Sequence, residues 1–99
     1  MRLNILIGGK AGQGLNEMAA ILTRAIADSW IYVFNYREYG SWIEGGHNFN
    51  ILCISDRKIG SFDYAYDIAL ALDEETLKIH KKNFKKNCII LSEKNVKVE

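Results

Sequence analysis

The sequence predicts a small α/β domain, a layered sandwich of helices on a mainly parallel sheet. An apolar run, Leu3 to Ile7, leads into a glycine cluster, and a helical apolar pattern starts directly after it. Short apolar runs then alternate with polar stretches to the C-terminus, as stacked β-α units require.

Taken in order, Leu3 to Ile7 is a short apolar run, interrupted by Asn4 and bounded by glycine, which suits a buried parallel strand better than an alternating, half-exposed one. Gly8-Gly9-Lys10-Ala11-Gly12-Gln13-Gly14 then places four glycines in seven residues. Lacking a Cβ, they suit unusual turns at the mouth of a β-α unit or, alternatively, close helix-strand packing. From Leu15 the apolar positions Met18, Ala19, Leu22, Ala25 and Ile26 recur at helical spacing. Ile31 to Phe34 is the expected second strand, completing a right-handed β-α-β unit. Asn35 to Asn48 mixes charges, aromatics and Gly40, Gly45 and Gly46, so a long loop of functional character is expected there.

Phe49 to Ile54 reads as a third strand, Ser55 to Lys58 as a turn, and Ile59 as the start of a short return. Ile68 to Leu72 is another buried strand. Asp73 fits a helix N-cap, and Glu74 and Glu75 place negative charge in the first turn of a helix reaching about Asn83. Lys81, Lys82, Lys85 and Lys86 complement its C-terminal end. Cys88 to Leu91 supplies a final strand before a lysine-bearing tail.

Composition bounds the function. With 99 residues the chain holds one domain, and 48 % hydrophobic with 25 % charged residues is ordinary globular usage. A net charge of +1 gives no whole-chain case for nucleic acid. The seven lysines between Lys78 and Lys97 read as a solvated face, because no arginine and no aromatic residue besides Phe84 is interleaved. No apolar stretch is long enough to span a bilayer or serve as a signal segment, so a soluble, cytoplasmic chain is expected. Cys53 and Cys88, far apart in apolar surroundings, read as buried free thiols.

The glycine loop departs from known phosphate-binding patterns. Starting at Gly12, a dinucleotide fingerprint would need a third glycine where Glu17 stands, and a phosphate-loop NTPase needs Ser or Thr where Ala11 follows Lys10. A helix N-terminus beside free amides can still take an anion. The two histidines, His47 and His80, have no metal-ligand spacing, and Ser41 and Ser61 lack a nucleophile context. Neither a metal site nor a complete catalytic centre is expected. Ligands of open α/β sheets sit beyond the carboxyl ends of the strands, so the glycine cluster and the stretch Tyr36 to Asn48 should meet at one rim. That stretch offers a guanidinium, aromatic rings, a histidine and an amide, a mixture suited to a cleft or an interface.

The joint pattern, an apolar strand, GGKAGQG, a helix, VFNYREYGSWIEGGHN and later DIALALDEET, resembles the gamma domain of 2-oxoacid:ferredoxin (or acceptor) oxidoreductases, including the type fused ahead of the alpha portion. The motifs run in order from about Ile5 to His80. The resemblance implies a Rossmann-like three-layer sandwich with a mainly parallel sheet. It also implies a place in a multisubunit enzyme that decarboxylates a 2-oxoacid oxidatively, forms an acyl-CoA and passes electrons to ferredoxin.

In that family, thiamine diphosphate and iron-sulfur clusters occupy partner domains. The gamma domain serves assembly, with proximity to the coenzyme A site as a further option. Partners implied are the thiamine-binding alpha and beta portions, and ferredoxin indirectly. Carried over residue by residue, the contacts fall on Gly9, Gly12, Gln13 and Gly14 in the first loop. In the second they fall on Tyr39, Gly45, Gly46, His47 and Asn48. None is a chemical catalyst or a metal ligand. Glu44 stands where the family pattern has an arginine, which weakens any anionic contact unless Lys10 or Arg37 compensates. The family domain is also longer, so residues 1–99 form a single gamma-type domain, reduced in size, or the N-terminal piece of one. Two other readings remain open: a nucleotide- or CoA-binding module outside any such enzyme, and an inactive fragment with an exposed apolar face.

Overall fold

The computed structural model describes residues 1–10, 14–29, 31–39, 47–59, 64–93 and 96. Among them a sheet of five strands has the order β2-β3-β1-β4-β5: β1 (Arg2–Lys10), β2 (Tyr32–Tyr39), β3 (His47–Ser55), β4 (Tyr66–Ala71) and β5 (Phe84–Ser92). Helix α1 (Leu15–Ala27) follows β1, and α2 (Glu74–His80), continued by a 3-10 turn at Lys81–Asn83, follows β4. β3 runs antiparallel to β1 and β2, while β4 runs parallel to β1 and β5. Every strand but β3 therefore points the same way, and the sheet is mainly parallel in direction, as expected.

The two helices lie on opposite faces, giving three layers. On one face Leu15 and Ala19 of α1 pack with Ile7 and Leu52, and the partly buried Met18, Leu22, Val33 and Leu70 surround them. Their spacing along α1 is the apolar stripe of an amphipathic helix. On the other face Leu6, Ile51, Cys53, Tyr66 and Ala69 form a second cluster, joined by Phe34, Phe49, Phe84 and Cys88. α2 seats on that side, with Thr76 fully buried over Gly8.

Several expectations change. β2 does run parallel to β1, yet β3 lies between them, so the expected β-α-β unit is split by an antiparallel strand. The burial pattern gives the reason. Asn50 to Ser55 of β3 are all buried and demand neighbours on both sides, whereas β2 exposes Tyr32, Asn35 and Arg37 and suits an edge. The expected long loop also contracts, because Asn35 to Tyr39 belong to β2 and His47 and Asn48 to β3. Residues 40–46 between them lie outside the described set.

Gly8 and Gly9 stand inside β1 rather than in a turn. Ile59 starts no strand but packs partly buried against the core. β5 begins at Phe84, because that ring reaches the core edge-on to Tyr66 at a centroid distance of 6.3 Å. Lys85 and Lys86 are consequently strand residues rather than helix-end charges, and Lys85 Nζ meets Asp67 Oδ1 at 3.0 Å. Cys53 is a buried free thiol; Cys88 is free and only half-buried. Among the described residues no helix is long and apolar enough to cross a membrane.

Asp73 caps α2 as its sequence position requires. Its extended backbone, φ −150° and ψ 169°, turns Oδ1 back to accept from Thr76 N at 3.0 Å and from Thr76 Oγ1 at 2.7 Å. Asp73→Ala is expected to cost about 1–2 kcal/mol, read as a lower urea midpoint at unchanged slope.

Candidate functional site

β1, β2 and β4 end at one rim, where β3 begins. In the register Lys10 stands opposite His47, Gly9 opposite Asn48, and Asn48 opposite Tyr39. Gly9, Asn48 and Tyr39 thus form a single row across three strands. Gly14 sits beside them as the N-cap of α1, with φ 78° and no capping side chain, and its carbonyl accepts from Met18 N at 3.0 Å. That left-handed turn is what a glycine supplies at least steric cost. Of the sequence-nominated residues, Gly12, Gln13, Gly45 and Gly46 lie outside the described set; Gly9, Gly14, Tyr39, His47 and Asn48 are brought to this rim.

The side chains of His47 and Asn48 do not form one cluster. Successive strand residues face opposite ways, so His47 goes to the α2 side and Asn48 to the α1 side. At the start of α1, Leu15, Asn16, Arg37, Glu38, Asn48, Phe49 and Asn50 close around a notch with no room for a water molecule. Asn50 Nδ2 donates to Leu15 O at 3.4 Å, tying the start of α1 to β3, while its buried Oδ1 has no partner. Tyr36 donates to Glu38 Oε2 at 2.6 Å, and that acceptor, with burial second, pushes its phenol up to about 12.

An open cleft of about 420 Å³ lies between the ends of β1 and β4, lined by Lys10, Leu72, Asp73, Glu74, Glu75, Lys78, Glu93 and Val96. Chain connections leave β1 toward β2 and leave β4 toward β5, so this is the switch point at which open α/β sheets place ligands. Its charge is mostly negative: Asp73, Glu74, Glu75 and Glu93 against Lys10 and Lys78.

Sequence reasoning missed the meeting of the two histidines. His47 Nε2 and His80 Nε2 are 2.9 Å apart, and both residues are buried. Phe49 packs against both rings, at 5.8 Å from His47 and 4.5 Å from His80, and Tyr66 lies edge-on to His80 at 6.0 Å. Burial holds both imidazoles below their usual range, His80 at about 4, with the His47 and Lys82 charges adding to the effect. Asp73 and Glu75 partly oppose it at His47. One local signal existed: Thr76 and His80 share a helix face by their i, i+4 spacing. His47's ring is therefore directed to a partner within the protein. Among the described residues no group of three or more His, Cys, Asp or Glu could hold a metal ion.

The geometry can be set beside known proteins. A 2-oxoacid:ferredoxin oxidoreductase subunit alpha from a Sulfolobus species is 40 % identical over 80 residues, 81 % of this chain and 13 % of its own length. The corresponding subunit of Saccharolobus solfataricus is 36 % identical over the whole chain, which is 16 % of that protein. Among solved structures, the gamma subunit of a keto/oxoacid ferredoxin oxidoreductase from Geobacter sulfurreducens superposes at a TM-score of 0.71 with 26 % identity. It covers 97 % of this chain and 53 % of itself.

A 2-oxoglutarate:ferredoxin oxidoreductase from Magnetococcus marinus, solved with 2-oxoglutarate, coenzyme A and succinyl-CoA, shares the fold at a TM-score of 0.86 and 19 % identity. The match covers 99 % of this chain and 17 % of that one. The chain thus spans under a fifth of the subunits alpha and about half of the gamma subunit. With residues 4–98 matching the pyruvate ferredoxin/flavodoxin oxidoreductase family, the chain belongs to that family.

Proposed function

We propose that this chain acts as a noncatalytic gamma-type domain, residues 1–99 forming one unit, in a cytoplasmic 2-oxoacid:ferredoxin oxidoreductase that makes an acyl-CoA. The observation that carries the reading is the row Gly9, Asn48 and Tyr39 beside the Gly14 turn, in a chain whose relatives are subunits of such enzymes. Backbone geometry at a rim suits assembly against thiamine-binding alpha and beta portions. In this reading thiamine diphosphate and iron-sulfur clusters belong to those portions, which pass electrons to ferredoxin.

Coenzyme A is an anionic, phosphate-bearing ligand. Its phosphate end does not fit the cleft at the end of β1, where four carboxylates face two ammonium groups and would repel it. The role proposed is proximity to the acyl-acceptor site on the α1 side of the rim.

Reconstitution tests the reading. Added to thiamine-binding portions prepared without their gamma region, the chain should co-purify with them and restore CoA-dependent ferredoxin reduction by a 2-oxoacid. Absence of both association and activity would refute it. Saturable heat of coenzyme A binding to the chain alone, without association, would favour a free-standing CoA-binding module.

A further inference from the structure

The two helices are held to the sheet by different chemistry. α1 buries Leu15 and Ala19 with Met18 and Leu22 beside them, an apolar seam indifferent to protons. The buried residues of α2 are Thr76 and His80 instead, and among the described residues neither core cluster draws on an apolar side chain of this helix. Thr76 rests on Gly8, and His80 reaches His47, Phe49 and Tyr66. The ring centroids of His47 and His80 are 5.1 Å apart and their Nε2 atoms 2.9 Å, so the two nitrogens meet nearly head-on. That contact holds one shared proton, one ring donating and the other accepting.

We infer that α2 is an acid-released flap: when the His47–His80 pair takes up a further proton, Glu74–His80 lifts from the sheet as a unit, while the sheet and α1 stay folded. Attached, the pair has nowhere to place the charge. His47 Nδ1 is buried without a partner, and Phe49 and Tyr66 pack against the rings. Burial keeps both imidazoles below their usual range, and once α2 has left, water returns them to it. The surrounding charges do not reverse the sign. Lys82 on the 3-10 turn opposes a proton at His80, and Lys10 of β1 stands opposite His47 in the register. Asp73 and Glu75 favour a proton at His47, less strongly than burial opposes it. On β2 Glu38 is engaged by Tyr36, and on β4 the Tyr66 phenol stays neutral because burial raises it. An element with few buried apolar contacts can open well below the free energy of global unfolding. Release carries Glu74, Glu75 and Lys78 away from the wall of the cleft between β1 and β4, so the flap sets whether that cleft is formed. The device stands independently of the proposed enzymatic role.

Amide hydrogen exchange of the 99-residue chain, followed by NMR from about pH 7.5 to about pH 5 with the intrinsic exchange rate divided out, tests this. Below about pH 6.5, protection of Leu77 to Lys81 should fall about tenfold per pH unit for each proton taken up, while β1, β3 and α1 keep theirs. Replacing both rings, His47→Leu with His80→Leu, leaves the Asp73 cap in place and should hold the protection of α2 level over the same range. The wild-type order of loss decides alone if that variant does not fold. Loss of protection in α2 and the strands together, α2 protection level down to pH 5, or α2 amides unprotected even at pH 7.5 overturns the inference. So does the same slope in the double variant, which would assign the release to carboxylates instead.

Discussion

Gly8→Ala is expected to destabilise this domain by about 2 kcal/mol, although alanine in place of glycine ordinarily gains a few tenths to 1 kcal/mol by restricting the unfolded chain. A Cβ at Gly8 would stand 2.5 Å from Thr76 Cγ2, 2.8 Å from Thr76 Oγ1 and 3.2 Å from Thr76 Cβ. Thr76 cannot swing aside. It is β-branched and fully buried, and its hydroxyl is committed to Asp73 Oδ1 at 2.7 Å. The added methyl must therefore push α2 off the sheet and disturb the Asp73 cap together with the His80 contacts. Urea unfolding of Gly8→Ala, Thr76→Ala and the double variant checks this. Thr76→Ala removes Cγ2 and Oγ1, so the double variant should be more stable than the sum of the single losses by about 1 kcal/mol or more. Additive losses would show that α2 does not press on Gly8.

The same glycine marks the limit of what could be read in the sequence. Its neighbours in GGKAGQG suggested a turn, and Gly14, with φ 78°, is one. The reason for Gly8 is a threonine far along the chain, which no local pattern exposes. Local chemistry was legible: Asp73 as a cap, Leu15 with Ala19 as a buried helix stripe, and Leu3 to Ile7 as a strand, of which Leu6 and Ile7 are fully buried while Leu3 is exposed. Strand order was not, because the insertion of β3 between β1 and β2 depends on long-range pairing. Asn35 to Tyr39 looked like a loop for a related reason, since an edge strand tolerates charge that a central strand would not. Of the candidate site, Gly9, Tyr39 and Asn48 were nominated by resemblance and share a row in the register. That His47 turns away from Asn48 follows only once both are known to be strand residues.

Acid should weaken the domain through the His47–His80 pair, and the sign follows from their depressed pKa values. His80 titrates at about 4 in the folded chain against about 6.5 unfolded, and His47 is also lowered. Below pH 6.5 the unfolded chain therefore binds more protons than the folded one. Stability is fully present above that value and falls as pH drops toward 4, by about 2–3 kcal/mol. The physical cause is burial: a first proton places charge among Phe49, Tyr66 and the partner ring, with Lys82 adding repulsion. Asp73 and Glu75 offset part of this at His47. A second proton would set two N–H groups against each other across 2.9 Å. Urea midpoints measured between pH 8 and pH 4 should trace this fall, and neither imidazole should titrate near 6.5 by NMR. His80→Leu should lose about 1–2 kcal/mol at pH 8 by stranding the His47 Nε2. Its stability should nevertheless depend less steeply on pH between 6.5 and 4, because one buried base has gone. An unchanged slope in that variant, or a wild-type midpoint that stays level down to pH 5, would place the acid sensitivity on other groups and remove the pair as its cause.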